Sequence, residues 1–332
     1  VERVSIAAIG CGPMGESLVS ALATLKQVQL VGAADLELER AQQVAAQHEG
    51  MQAFAQPGQM LEALRPEAVV IASPQFAHRE HAQLAAAVGA HIFCEKPLAT
   101  TVADCDAMIA ATRAAGVQLM VGQVLRYLPT WRTAIELVRS GELGQPMGVV
   151  VTRIGGGFSA WARPWRLSHE QSGGILMEIN SHEIDFMRCL CGEVDTVFCL
   201  ADSFLQPHMQ TPDNLYVSLR FKEGAAGVLH SSMASYIGES SGKIQCTNGT
   251  IFYRNGHDGS VFEVAREAKK CERLELEAGE DGVRRELREF VEAISGGTPV
   301  SIPGEEGRGN VEVAEAAYLS ARTGAVVKLP LV

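Results

Sequence analysis

The sequence is first informative for what it does not contain. No run of about 18 or more apolar residues occurs, so nothing in it reads as a membrane-spanning helix. No basic stripe occurs either. The densest pairs, Lys269-Lys270 and Arg284-Arg285, are short and flanked by glutamates, and 28 basic against 39 acidic residues leave a net charge of −11. A nucleic-acid partner is therefore not expected. The eight cysteines are scattered without a Cys-x-x-Cys, and Cys189-x-Cys191 is too close for a metal-site pair, so no metal is expected. They read as reduced thiols of a cytoplasmic protein. No basic leader or Ala-x-Ala site precedes the first apolar run, so no signal peptide is expected. There is no internal repeat and no low-complexity tract.

What is present is a long chain with two textures. At 332 residues it exceeds the size at which a single core usually stays undivided. Residues 1–122 alternate strand and helix. Strands are expected at 4–9, 28–34, 68–73, 91–94 and 118–122, and helices at 17–25, 38–47, 77–88 and 102–115. The near-continuous apolar strands imply a parallel sheet covered on both faces. Residues 123–332 read differently. A helix at 130–140 is followed by strands at 147–154, 196–203, 215–221, 227–233, 243–247, 250–254 and 261–265, several joined by hairpin turns such as Asn248-Gly249. One helix, 181–190, interrupts them, and helices near 285–295 and 308–322 and a strand at 326–329 close the chain. The glycine-rich stretches 154–157 and 172–174 read as loops beside a site. The expected fold is an α/β N-terminal Rossmann domain, 1–122, plus an α+β C-terminal domain, 123–332, with a mostly antiparallel, open-faced sheet.

Gly10-Cys11-Gly12-Pro13-Met14-Gly15 matches G-x-G-x-x-G between a strand and a helix, and Asp35 follows 20 positions after Gly15 at the end of the next strand. That is the dinucleotide fingerprint. Gly10 allows the tight turn, Gly12 the approach of backbone to pyrophosphate, and Gly15 close helix–strand packing. The helix N-terminus faces the phosphates. Asp35 would accept the ribose hydroxyls and repel a 2′-phosphate, and Leu36 supplies no positive charge, so NAD is expected over NADP. Arg40 could reach a phosphate but equally reads as a solvated helix residue.

Two further clusters carry chemistry. Cys94-Glu95-Lys96-Pro97 ends a strand of the open parallel sheet, where ligands bind. Pro97 keeps Lys96 extended, and a lysine held there can aim its ammonium at a substrate oxygen. Cys94 reads as a small buried residue closing the strand. The second cluster runs from Gly173 to Asp185. Asn180 and Glu183 form a capping-box pattern, which starts a helix at Asn180 and puts His182 in its first turn. The helix N-terminus disfavours imidazolium there, keeping His182 available as a base, with Glu178 or Asp185 to orient it.

Taken in order, these motifs, with Ser73-Pro74 and His78, Glu95-Lys96-Pro97, Gly122 with Arg126-Tyr127 and Pro129, Trp165-Arg166 and Gly173-Gly174 through His182 to Asp185, resemble the glucose–fructose oxidoreductase / inositol dehydrogenase / MocA family over nearly the whole chain. The resemblance implies NAD-dependent hydride transfer at a sugar, polyol or cyclitol hydroxyl, with Lys96 and His182 flanking the reacting carbon. It implies cofactor contacts at Gly10, Gly12, Pro13, Met14, Gly15, Asp35, Ser73, Pro74, His78, Glu95 and Lys96. Glu178 joins Lys96 and His182 in catalysis, Arg126, Tyr127, Trp165 and Arg166 are pocket candidates, and a homodimer or homotetramer joined through the C-terminal sheets is expected. Two positions depart from the family pattern. Glu178 stands where Asp is usual, and Asn180 where Gly is usual, which suggests a reshaped pocket. The same resemblance permits transient oxidation of a glycoside with NAD retained. A non-catalytic NAD-binding regulator is a third reading, and the presence of both Lys96 and His182 argues against it.

The cofactor reading has a direct test. Fluorescence titration is expected to show tighter binding of NAD than of NADP, and Asp35→Ser combined with Leu36→Arg to reverse the order. Tighter NADP binding by the unmodified protein would sink it.

Overall fold

The computed structural model describes residues 3–156, 164–205, 210–256 and 259–331. In chain order it begins β1 (Val4–Ile9), α1 (Pro13–Ala23), β2 (Val28–Ala34), α2 (Leu38–Ala45), β3 (Gln52–Phe54), α3 (Pro57–Leu64), β4 (Ala68–Ile71), α4 (His78–Ala87), β5 (His91–Glu95), α5 (Val102–Ala115) and β6 (Leu119–Gly122). There follow α6 (Pro129–Arg139), β7 (Pro146–Gly156), the single turns α7 (Pro164–Leu167), α8 (His169–Ser172) and α9 (Ile175–Glu178), and α10 (Ser181–Cys191). The strands β8 (Val194–Asp202), β9 (Asn214–Phe221), β10 (Ala226–Ser235), β11 (Glu239–Cys246), β12 (Gly249–Gly256), β13 (Gly259–Glu267) and β14 (Lys270–Arg273) come next. The chain closes with α11 (Gly282–Gly296), α12 (Gly304–Thr323) and β15 (Val327–Lys328).

Two compact units result, one of residues 1–124 and 280–309, the other of 125–279 and 310–332. In the first, six described strands pair in the order β3-β2-β1-β4-β5-β6, all parallel. β4 is wholly buried, and β1 nearly so, because helices cover both sheet faces. Thr101 caps α5 by accepting the Asp104 amide at 3.1 Å, and the helix stops at Gly116, whose φ of +68° suits glycine. The expected helix at 17–25 begins earlier, at Pro13, since proline at the first turn forfeits only an amide that has no helical partner. The short β3 and α3 are not anticipated in the sequence: the three residues of β3 and the eight of α3 carry too little periodicity to register.

A single cut at residue 122 does not describe the units. Residues 280–309 return to the first one, where α11 packs on α1 and β5. The reason lies in the apolar face of α11. Leu287, Phe290 and Val291 are fully buried, and the Phe290 ring sits 5.8 Å from that of Phe93 on β5. An amphipathic helix goes to whichever core takes its stripe, and sequence order does not specify which.

In the second unit, nine described strands form one sheet, ordered β14-β13-β12-β11-β7-β10-β9-β8-β15. Only β7 and β10 pair in parallel; the other neighbours are antiparallel. α10 lies against β7 and β10 and also meets α6. Leu215, Val217, Leu219 and Phe221 of β9 point into this core. The other sheet face is mixed rather than uniformly apolar. Along β9 it shows Tyr216, Ser218 and Arg220, with Tyr216 stacked on His230 of β10 at 4.2 Å, and exposed Val150 and Leu200 nearby on β7 and β8. β7 runs past the expected end at Ile154 through Gly155 and Gly156, which the glycine-rich pattern reads as loop, because Gly156 still pairs with Ser235 of β10; Gly157 lies outside the described residues. No helix among the described residues is long and apolar enough to cross a membrane.

Candidate active site

The first unit carries the cofactor fingerprint. Gly10, with φ of +92°, turns the chain where a Cβ would stand 2.5 Å from the Ser73 amide nitrogen. A Cβ at Gly15 would collide with the Gly10 carbonyl oxygen, whereas one at Gly12 would meet open space. The turn is thus closed where helix meets strand and open where a pyrophosphate would approach. Pro13 and Met14 are exposed at the start of α1. Asp35 binds the turn to β2: one carboxylate oxygen accepts the Cys11 amide at 2.8 Å, the other the Glu37 amide at 2.9 Å. Each oxygen keeps a lone pair for a ribose hydroxyl. Leu36 is 81% exposed, and the guanidinium of Arg40 pairs with Glu37 at 2.9 Å, which offsets its charge toward any phosphate. These residues fit a bound nicotinamide dinucleotide.

At the end of β5, the backbone amide of half-buried Lys96 donates to its neighbour Glu95 at 3.1 Å. Glu95 is buried and pairs in register with Gly122 of β6. Cys94 is buried as well, which pushes its thiol far above the ordinary range. His78 ties this segment to the Ser73-Pro74 turn. One ring nitrogen lies 2.8 Å from the Ser73 carbonyl, the other 3.1 Å from that of Pro97 and 3.2 Å from that of Leu98. Burial lowers the His78 pKa to about 4, outweighing the carbonyls that favour the charged ring. The neutral imidazole has one N–H and donates on one side only. Ser73 also meets His81, with 2.9 Å between Oγ and Nδ1.

The second unit holds the other candidates. Gly173 and Gly174 turn the chain in left-handed conformations into α9, whose last residue is Glu178. Glu178 pairs with Arg166 of α7 at 3.0 Å, and that guanidinium lies 5.1 Å from the Trp165 ring centroid. The additional methylene of Glu over Asp belongs to the side chain that reaches Arg166. His182 is half-buried in the first turn of α10. The expected capping box is replaced. The Asn180 side chain makes no capping bond; it is wholly buried and turned toward Ser231 and Glu183 instead. Arg126 grips Asp185 through two bonds, at 2.7 Å from Nε and 2.6 Å from Nη2. Asn310 adds a third bond to that carboxylate at 3.0 Å. Tyr127 is buried beside Arg126 in sequence. The structure therefore joins Arg166 with Glu178, and Arg126 with Asp185, two pairings that sequence spacing does not announce.

Three buried polar residues that contact these candidates, or their neighbours, carry no signal in the sequence. Glu286 of α11 is buried, and one of its carboxylate oxygens finds no hydrogen-bond partner; burial, then the charge of Glu95, push its pKa well above the usual range. Ser231 and Asn310 are the other two. Each meets its partner across dozens of residues of sequence, and no local pattern marks them.

The chain has known relatives along nearly its whole length. The NAD-binding Rossmann-fold model of the oxidoreductase family GFO_IDH_MocA matches residues 4–123, and the model of its C-terminal alpha/beta domain matches residues 135–329. Myo-inositol 2-dehydrogenase of Thermotoga maritima is 28% identical, over 98% of each chain. D-apiose dehydrogenase of Paraburkholderia graminis is 28% identical, over 99% of this chain and 90% of its own. The crystal structure of the WlbA dehydrogenase from Bordetella pertussis, in complex with NADH and UDP-GlcNAcA, superposes with a TM-score of 0.88 at 26% identity, covering 99% of this chain and 100% of its own.

The Arg126–Asp185 pair gives a prediction that separates packing from ligand contact. Removing one partner of a buried ion pair leaves an uncompensated charge, at a cost of about 3–5 kcal/mol. Arg126→Ala is expected to lose stability of that order in urea denaturation. A variant of unchanged stability with a raised KM would assign Arg126 to substrate instead.

Proposed function

This chain belongs to the GFO_IDH_MocA oxidoreductase family, and on that premise we propose that it moves hydride between a hydroxyl-bearing carbon of a sugar, polyol or cyclitol and NAD. The observation that carries the reading is the intact cradle: an open face at Gly12, closed packing at Gly15, and an Asp35 carboxylate anchored by the Cys11 and Glu37 amides. The exposed, uncharged Leu36 and the Glu37-paired Arg40 support NAD over NADP. Relatives that are inositol and apiose dehydrogenases support the substrate class.

When bound, NAD supplies the hydride acceptor. The protein's part is proton and charge handling. His182 accepts the proton of the substrate hydroxyl as general base. Lys96 places its ammonium on the oxygen as negative charge develops there. Glu178, held by Arg166 at 3.0 Å, presents a fixed carboxylate that hydrogen-bonds substrate or orients His182. Trp165 and Arg166 bound the pocket. Screening NAD reduction over cyclitols, aldoses, sugar acids and glycosides tests the activity itself, and net NADH separates it from transient redox and from mere NAD binding.

We propose further that copies associate through the outer face of the nine-stranded sheet, where Tyr216, Val150 and Leu200 are exposed together with the Tyr216–His230 stack. Sedimentation at micromolar protein is expected to show a dimer or tetramer; a monomer contradicts the proposal.

Lys96→Ala and His182→Asn are expected to lower kcat by about 10²- to 10⁴-fold without unfolding the protein or abolishing NAD binding. Oxidation by His182→Asn should recover in part as pH rises, because hydroxide replaces the missing base. The double variant should fall short of the product of the single losses, since both residues act on one O–H group. If Lys96→Ala keeps its turnover, or His182→Asn loses melting temperature rather than kcat, the roles are wrong.

A further inference from the structure

Asn180 occupies the junction between the two helices that carry Glu178 and His182. Its amide donates to the Ile175 carbonyl at 3.1 Å, closing α9, and its carbonyl accepts the Ile184 amide at 2.9 Å, opening α10. Its backbone, at φ −90° and ψ 5°, is itself in neither helix. Such a joint has freedom about its own dihedrals, so the direction of the first turn of α10 must be set from outside.

The side chain supplies that constraint. Wholly buried, it accepts the Ser231 hydroxyl at 2.5 Å and donates through Nδ2 to Glu183 at 3.2 Å. The other Glu183 oxygen lies 3.8 Å from Nε of Arg153. Ser231 on β10 and Arg153 on β7 are direct partners in the parallel pair, so both ends of the network reach one rung of the sheet. His182 lies inside the clamped turn, between Asn180 and Glu183. A buried amide, hydroxyl and carboxylate that satisfy one another have one good arrangement, and displacing any of them strands a buried polar group. Glycine, the usual residue here in the family pattern, could make none of these side-chain bonds.

We infer that Asn180 is a positioning residue: its clamp onto the Ser231–Arg153 rung fixes the first turn of α10 and thereby the imidazole of His182. This rests on His182 being the base proposed above. Asn180→Ala removes the amide without adding backbone freedom, and Asn180→Gly restores the usual family residue. Ser231→Ala deletes one hydroxyl and serves where an Asn180 variant fails to fold.

Two measurements test it. In protein labelled with ¹³C at the histidine ring, the His182 resonance is identified by its loss in His182→Asn. Asn180→Ala and Ser231→Ala should shift or broaden it while leaving His78 and His81 unmoved. Turnover is then read with NAD and whichever of myo-inositol, scyllo-inositol or D-apiose reacts fastest. Displacing a reacting group slows the chemical step steeply, so kcat should fall about tenfold with KM and NAD affinity nearly constant. The deuterium isotope effect at the reacting carbon should rise. Asn180→Ala with Ser231→Ala should be no slower than Asn180→Ala alone, because both remove the same bond. An unmoved His182 resonance in both single variants overturns the inference. So does a kcat loss that follows melting temperature with an unchanged isotope effect. If His182→Asn itself retains full turnover, the assignment of the base fails instead, and the resonance still reports whether Asn180 holds that ring.

Discussion

The Asp185 carboxylate is the constraint around which the second unit is arranged. It is buried on α10, where an ionised group is tolerated only with close, complementary partners. The partners come from distant stretches of the chain: Arg126 ahead of α6, with two bonds, and Asn310 of α12 with one. Asn310 in turn accepts from Arg188 at 2.6 Å, and Arg188 also reaches Glu193 at 2.6 Å. One helix is thereby gripped by charges as well as by apolar packing. Ionic contacts of this kind have direction, and the helix that carries His182 gains a defined rotation from them.

The first unit obeys a different constraint, one of space. Helix α1 approaches the sheet so closely that Gly15 meets the carbonyl of Gly10, and no side chain fits between. That proximity delivers the start of a helix, with its unpaired amides, to the end of a strand. Asp35 then performs two tasks with one group. It satisfies the amides of Cys11 and Glu37, and it offers the remaining lone pairs outward. A carboxylate so held is preorganised, and a ligand that uses it needs no rearrangement of the turn.

Much of this was legible in the chain. Strand β2 and helix α5 have the bounds the sequence predicts, because apolar periodicity is a local property. The fingerprint Gly10–Gly15 with Asp35 was legible for the same reason, since its parts lie within one βαβ unit. The capping box at Asn180 shows where such reading stops. Its letters fit, yet the side chain bonds to Ser231, a partner 51 residues later. A local motif states what a side chain could do, and the tertiary surroundings offer it a second, buried partner.

The sequence by itself determined the strand–helix alternation, the dinucleotide turn and the change of texture near residue 122. These follow from short-range sterics, periodicity and side-chain chemistry. Only the tertiary structure decided that α11 joins the first unit, that Glu178 pairs with Arg166 and Asp185 with Arg126, and that Asn180 anchors to the sheet. Those outcomes depend on which buried charges and apolar faces meet once the chain has closed on itself, and contacts between segments far apart in sequence leave no periodic trace along it.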